Sequence, residues 1–168
     1  PLGFGVTTTA LKREFADPVD VEEAVGWMSR LNDKASALAV RFGLQAGTDV
    51  TGYSLLGHGL EMAQSSQVRL RFRFEHIPFL AGARHYAERG AFAGGAADNR
   101  IFYGSAVSFA EWIDEPAQML LFDPQTSGGL LLGVPPHKLN DFLAAASEAD
   151  QPVWLVGEAI EGTGIEVI

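Results

Sequence analysis

Gly47-Thr48-Asp49-Val50-Thr51-Gly52-Tyr53-Ser54-Leu55-Leu56-Gly57-His58 decides how the chain is read. Residues Ala46 to Val50 read as a short strand or turn. Leu56, Leu60 and Ala63 then fall on one face, which predicts a helix from about Gly52 to Gln64 with Thr51 as its cap. A strand that turns at once into a helix sets a mixed α and β architecture and leaves Asp49 in the turn. Neighbouring hydroxyls and the positive end of the helix both favour the carboxylate there. Flanking glycines let a phosphate approach the backbone, and an oxygen ligand in such a turn suits magnesium. The same pattern also fits Asp49 as a helix cap or the first residue of an Asx-turn.

Upstream, Val21, Val25, Met28, Leu31, Ala35, Leu38 and Phe42 are spaced by three or four and predict one amphipathic helix over Val21 to Phe42. Asp17-Pro18 supplies its N-cap and first-turn proline, and Gly43 its stop. Pro1 to Thr9 reads as a strand or turn entered midway, so a preceding segment is expected. Downstream, Val68 to Phe74 alternates apolar residues with Arg69, Arg71 and Arg73, the pattern of a strand with one buried and one wet face. Leu80 to Arg89 reads as a short helix, and Ala91 to Ser105 as a glycine-rich connection. Within it Gly94-Gly95 with Asn99 and Arg100 is a weak binding candidate that a surface loop explains equally well.

Gln118 to Phe122 and Leu130 to Val134 read as buried strands flanking Asp123-Pro124-Gln125-Thr126-Ser127-Gly128-Gly129. Thr126, Ser127 and Gly128 are candidate phosphate-loop residues, because such turns present backbone N–H groups as an anion-binding nest. The competing reading is a one-turn helix capped by Asp123 that links two core strands. Pro135-Pro136 opens a helix to about Ala146, and Val153 to Val156 and Gly164 to Ile168 read as closing strands.

The 168 residues, 47% hydrophobic, suffice for one core and one domain. Twelve Lys and Arg against 21 Asp and Glu give a net charge of −9 with no long basic cluster, which argues against nucleic acid as a partner. No apolar run is long enough to span a bilayer, so no membrane partner is expected. With no cysteine there is no thiolate metal site or thiol nucleophile, and a cytoplasmic location is weakly favoured.

Neither a Walker A run nor Gly-x-Gly-x-x-Gly is present. Gly52-Tyr53-Ser54 begins like a nucleophile elbow, but Leu56 stands where the second glycine is needed. His58 has no second metal-spaced partner apart from distant Asp49 and reads as a packed helix histidine. His76, His85 and His137 are isolated.

Taken together, Thr48 to His58 and Asp123 to Leu131, with Pro1-Leu2-Gly3 and Gly5-Val6 at the start, resemble the C-terminal domain of selenophosphate synthetase, the ATP-dependent selenide, water dikinase family. The resemblance implies an α+β domain, a mixed sheet covered by helices as in aminoimidazole ribonucleotide synthetase. Residues 1–168 would form that one domain. The family makes selenophosphate from selenide and ATP with release of AMP and phosphate, as a homodimer of two-domain subunits. Its catalytic cysteine or selenocysteine and essential lysine belong to the N-terminal ATP-binding domain, so no catalytic residue is expected here and the domain alone should be inactive. The aspartate of the family's Thr-Asp-Val-Thr-Gly motif, a Mg2+ ligand, falls on Asp49. Ser54 departs from the pattern, since the family usually has glycine there. Purine-pathway synthetases, thiamine monophosphate kinase and the hydrogenase-maturation carbamoyl dehydratase share the domain plan. Gly57-His58 and the Gln-Thr-Ser-Gly-Gly loop argue against them. A non-catalytic binding module is the alternative of a different class.

Overall fold

A computed structural model describes residues 1–168. Eight helices run in the order α1 (Phe4–Lys12), α2 (Pro18–Met28), α3 (Asp33–Arg41), α4 (Ser54–Ser66), α5 (Ala83–Glu88), α6 (Gly94–Tyr103), α7 (Glu115–Leu121) and α8 (Leu139–Glu148). Six short strands are interleaved with them: β1 (Ala46–Asp49), β2 (Arg69–Phe72), β3 (Val107–Phe109), β4 (Leu130–Gly133), β5 (Gly157–Ile160) and β6 (Ile165–Val167). Four strands form a mixed sheet in the order β3-β6-β2-β5, with β6 parallel to both neighbours and β5 antiparallel to β2. Strands β1 and β4 form a separate antiparallel ribbon, in which Asp49 lies opposite Leu130. This is the expected α+β plan of a mixed sheet with helices packed on it.

Alternation decides which face of the sheet is covered. Leu70 and Phe72 point into the main core with Ile165 and Val167, under Leu56, Leu60 and Ala63 of α4. Arg69 and Arg71 point the other way and pair with Glu158 and Glu166 of the neighbouring strands, cross-strand pairs on a wet face. A second cluster gathers Phe4, Val6 and Ala10 of α1 with Leu80, Tyr86 and Leu120.

Several expectations are corrected. The predicted helix over Val21–Phe42 is two helices, broken at Ser29 to Asn32. The apolar periodicity runs through the break because each half serves a different core: Ala24 joins the α1 cluster, and Leu38 packs with Phe142 of α8. The Ala91–Ser105 connection contains a helix, whose buried residues Ala96, Asn99 and Tyr103 follow helical spacing. Gln118–Phe122 is the end of helix α7, not a strand. Its start is marked by Asp114, whose carboxylate accepts from the Ala117 N–H, and by Pro116 in the first turn. Val153–Val156 lies outside the ladder, and the strand begins at Gly157. The opening residues form helix α1.

Helix α4 begins at Ser54 with Tyr53 before it, and Thr51 does not cap it. Ser54 is fully buried and takes a left-handed backbone (φ 68°), which explains why a glycine suits this position. Its hydroxyl accepts only a long bond, 3.4 Å, from the Gly57 N–H. Ser54→Gly is therefore expected to raise stability by about 0.5–1 kcal/mol, the relief of left-handed strain outweighing the added chain entropy. Chemical denaturation of the two proteins measures this. A less stable glycine variant would mean that the hydroxyl bond outweighs the strain.

Candidate functional site

The two motif segments meet. Where the β1–β4 ribbon ends, the Val50 N–H donates to the Gly129 carbonyl at 2.9 Å and the Gln125 N–H donates to the Thr51 carbonyl at 3.0 Å. Gly128 packs so closely beneath the strand that a Cβ on it would stand 1.9 Å from the Val50 carbonyl oxygen, so no larger residue fits without moving one segment. The Asp49 turn and the 123–129 loop are thus one structural unit. Asn32, in the break between α2 and α3, reaches this unit and donates to the Gly128 carbonyl at 2.9 Å.

Asp49 closes β1 with its side chain exposed. Its carboxylate accepts no hydrogen bond and makes no ion pair within the chain. The Thr48 hydroxyl donates to the Asp49 main-chain carbonyl, and the Thr51 hydroxyl meets His58 instead. The expectation that neighbouring hydroxyls hold the carboxylate is therefore corrected. So is the structural alternative, because Asp49 caps no helix and closes no Asx-turn. What remains is an oxygen donor at the end of a strand that the fold itself does not use.

The loop candidates divide in the same way. Thr126 and Ser127 are exposed, Gly128 is buried, and Ser127 takes a left-handed backbone (φ 53°). The N–H groups of Thr126, Ser127 and Gly128 donate to no acceptor in the chain, and a left-handed residue in such a turn can aim successive N–H groups the same way. Asp123 and Gln125 carry the structural load. Gln125 Oε1 accepts from the Gly3 and Phe4 N–H groups (2.9 and 3.3 Å), and Asp123 Oδ2 accepts from Gly5 and Val6 (2.8 and 3.2 Å). A helix start leaves four N–H groups without intrahelical partners, and these two side chains take all four for α1. Asp123 thus caps a helix, but one 118 residues away and not a turn of its own loop. Gly5 is required there, since a Cβ would stand 2.3 Å from Asp123 Oδ1.

Asp123 has no measurable exposure, and its Oδ1 has no hydrogen-bond partner. Burial pushes its carboxyl up to about 7, against the pull of the Val6, Gly5 and Gln125 donors.

Asn99 was a weak binding candidate; the structure gives its amide a clamping position. Its Nδ2 donates to the Gly52 and Phe122 carbonyls, both at 3.0 Å, tying the Asp49 turn to the 123–129 loop. Arg100 instead points outward to Glu115. The sequence signal for Asn99 was a polar residue on the buried side of an Ala96, Asn99, Tyr103 face.

No group of three or more His, Cys, Asp or Glu side chains in this chain converges at metal-ligating distance. Asp49 can therefore supply one ligand, not a closed site. A lone accessible carboxylate fits magnesium, which keeps several waters and shares its ligands with phosphate oxygens.

Residues 1–168 match the family described as AIR synthase related protein, C-terminal domain. The selenide, water dikinase of Bordetella bronchiseptica is 41% identical over 160 residues, covering 95% of this chain and 46% of the relative. That of Pseudomonas aeruginosa is 40% identical over 167 residues, covering 99% and 48%. The chain spans about half the length of the curated relatives it matches. Among solved structures, thiamine-monophosphate kinase from Stenotrophomonas maltophilia aligns with a TM-score of 0.67 at 14% identity, over 99% of this chain and 47% of that one. The Aquifex aeolicus thiamine monophosphate kinase gives 0.59 at 18% identity, over 99% and 46%. At these identities the solved structures speak for the fold alone, and the fold agrees with the sequence match: the chain belongs to the family of AIR synthase related protein C-terminal domains.

Proposed function

We propose that this chain is the C-terminal domain of a selenide, water dikinase, which makes selenophosphate from selenide, ATP and water and releases AMP and phosphate. The observation that carries this reading is identity of about 40% to proteins of that name across 95–99% of the chain. The likeness to thiamine monophosphate kinases at 14–18% identity does not compete with it at the level of the reaction.

Phosphoryl transfer asks the protein for position and for neutralisation of charge on the phosphates more than for a reactive side chain. Asp49 supports that reading as an exposed carboxylate free to ligate, at the end of a strand whose following turn is braced by Asn99, Gln125 and the Val50 ladder bond. Magnesium, when bound, offsets the negative charge of the phosphate oxygens. The N–H groups of Thr126, Ser127 and Gly128, which donate to no acceptor in the chain, would be the second contribution, receiving a phosphate oxygen beside Asp49. The ATP-binding part of the site and its nucleophile belong to the N-terminal domain of the complete enzyme, which acts as a cytoplasmic homodimer. No helix of the chain is long and apolar enough to cross a membrane.

The complete protein, assayed with ATP, Mg2+ and selenide, is expected to release AMP only when selenide is present. Turnover indifferent to selenide, or phosphorylation of thiamine monophosphate in its place, would overturn the assignment.

A further inference from the structure

The imidazole of His58 lies one turn into α4, buried, and reaches back over the turn that follows Asp49. Its Nε2 is 3.0 Å from the Thr51 hydroxyl and accepts from the Tyr53 main-chain N–H at 3.4 Å. An N–H group can only donate, so Nε2 carries its lone pair and the ring proton sits on Nδ1. Glu61, one turn further along the helix, brings a carboxylate oxygen to 3.8 Å from that Nδ1 and favours this tautomer. The Tyr53 ring covers the imidazole, with centroids 5.4 Å apart. A histidine that only filled a helix face would have no reason to hold both the hydroxyl of Thr51 and the amide of Tyr53.

We propose that His58 is a positioning residue for Asp49: through Thr51 and Tyr53 it fixes the turn that follows Asp49 and so holds the end of the strand that carries the carboxylate. The proposal rests on Asp49 acting as a metal ligand. His58 itself touches neither metal nor substrate. Residues that orient a ligand without binding the metal change affinity by about 10- to 100-fold when lost, and the indirect path through the turn places His58 at the lower end.

The test uses the complete protein and Mn2+ alone, with binding followed by electron paramagnetic resonance and main-chain hydrogen exchange read across residues 50–54. His58→Leu should weaken Mn2+ binding about ten-fold and speed exchange in the turn. His58→Gln, whose Oε1 reaches toward the place of Nε2, should restore most of both. Thr51→Val, which leaves the helix core untouched, should reproduce the loss. Unchanged affinity and exchange in a folded His58→Leu protein, or a glutamine variant as weak as the leucine one, would overturn the proposal. If the wild-type protein binds no Mn2+, the reading of Asp49 fails, and the exchange measurement alone decides the role of His58. Faster exchange in the leucine variant with recovery in the glutamine variant sustains it, and equal rates refute it.

Discussion

Replacing Asp49 by asparagine in the complete enzyme is expected to lower selenide-dependent AMP release on the order of 100-fold or more while leaving the fold unchanged. The two halves of this expectation come from the same observation. The carboxylate is exposed and bonded to nothing in the chain, so its removal costs no buried contact. Surface changes of that kind shift stability by about 0.5 kcal/mol or less. Its charge is available for a ligand, and asparagine keeps the shape but removes that charge. Loss of groups that merely support a metal ligand already costs about 10- to 100-fold, so losing the ligand itself falls at or above that range. Steady-state AMP release together with a thermal melt separates the two effects. Near-normal turnover would exclude Asp49 as a metal ligand, and a lowered melting temperature would show that the residue has a structural role as well.

How far the sequence discloses such a site depends on whether the forces involved are local. The ribbon strand at Ala46, the helix after it and the Asp17-Pro18 helix start were all legible, because alternation, apolar spacing and caps act over a few residues. The strand-like reading of Gln118–Phe122 missed a signal that was present, Asp114 two residues before Pro116, because a short run of Met119, Leu120 and Leu121 suits a buried helix and a strand equally. Helix α1 was not legible in principle. No acidic residue stands in its first turn and Gly3 offers no side chain, so nothing nearby announces a helix start. The caps arrive from Asp123 and Gln125, across more than a hundred residues. The same is true of the site. Asp49 is legible as a carboxylate near a turn, but that its carboxylate is left free, and that Asn99 reaches the Gly52 carbonyl from 47 residues away, are facts of tertiary contact. In the sequence the motif at Asp123 to Gly129 stands out for its glycines and hydroxyls, whereas its most constrained members are the aspartate and glutamine that anchor the first helix.

That anchor predicts a large stability effect. Asp123→Ala would leave the Gly5 and Val6 N–H groups without acceptors in a buried setting and strip Gln125 Nε2 of one partner, at 3.1 Å. Unpaired buried donors cost about 1–3 kcal/mol each, so a loss of about 2–5 kcal/mol is expected in denaturant titrations at neutral pH. Asp123→Asn behaves differently, because one amide oxygen can accept everything that Oδ2 accepts. The wild-type carboxyl titrates at about 7 in the folded protein, against an ordinary value of 3.8. A folded-state value raised in this way means that the folded protein holds the proton more tightly than the unfolded chain. The stabilisation is complete below about pH 4, declines as the pH climbs to about 7, and has been lost above it. The interval corresponds to about 4 kcal/mol at about 1.4 kcal/mol per pH unit. Asparagine cannot titrate, so its stability relative to wild type should rise by a few kcal/mol from pH 4 to pH 8. A constant difference between the two proteins over that range would mean that the helix start and its three donors keep the carboxylate ionised despite burial. Because the Gln125 main-chain N–H donates to the Thr51 carbonyl while its side chain binds Asp123, the charge on Asp123 bears on the loop that packs beside Asp49, and loosening it above neutrality should show first as faster hydrogen exchange in residues 124–129.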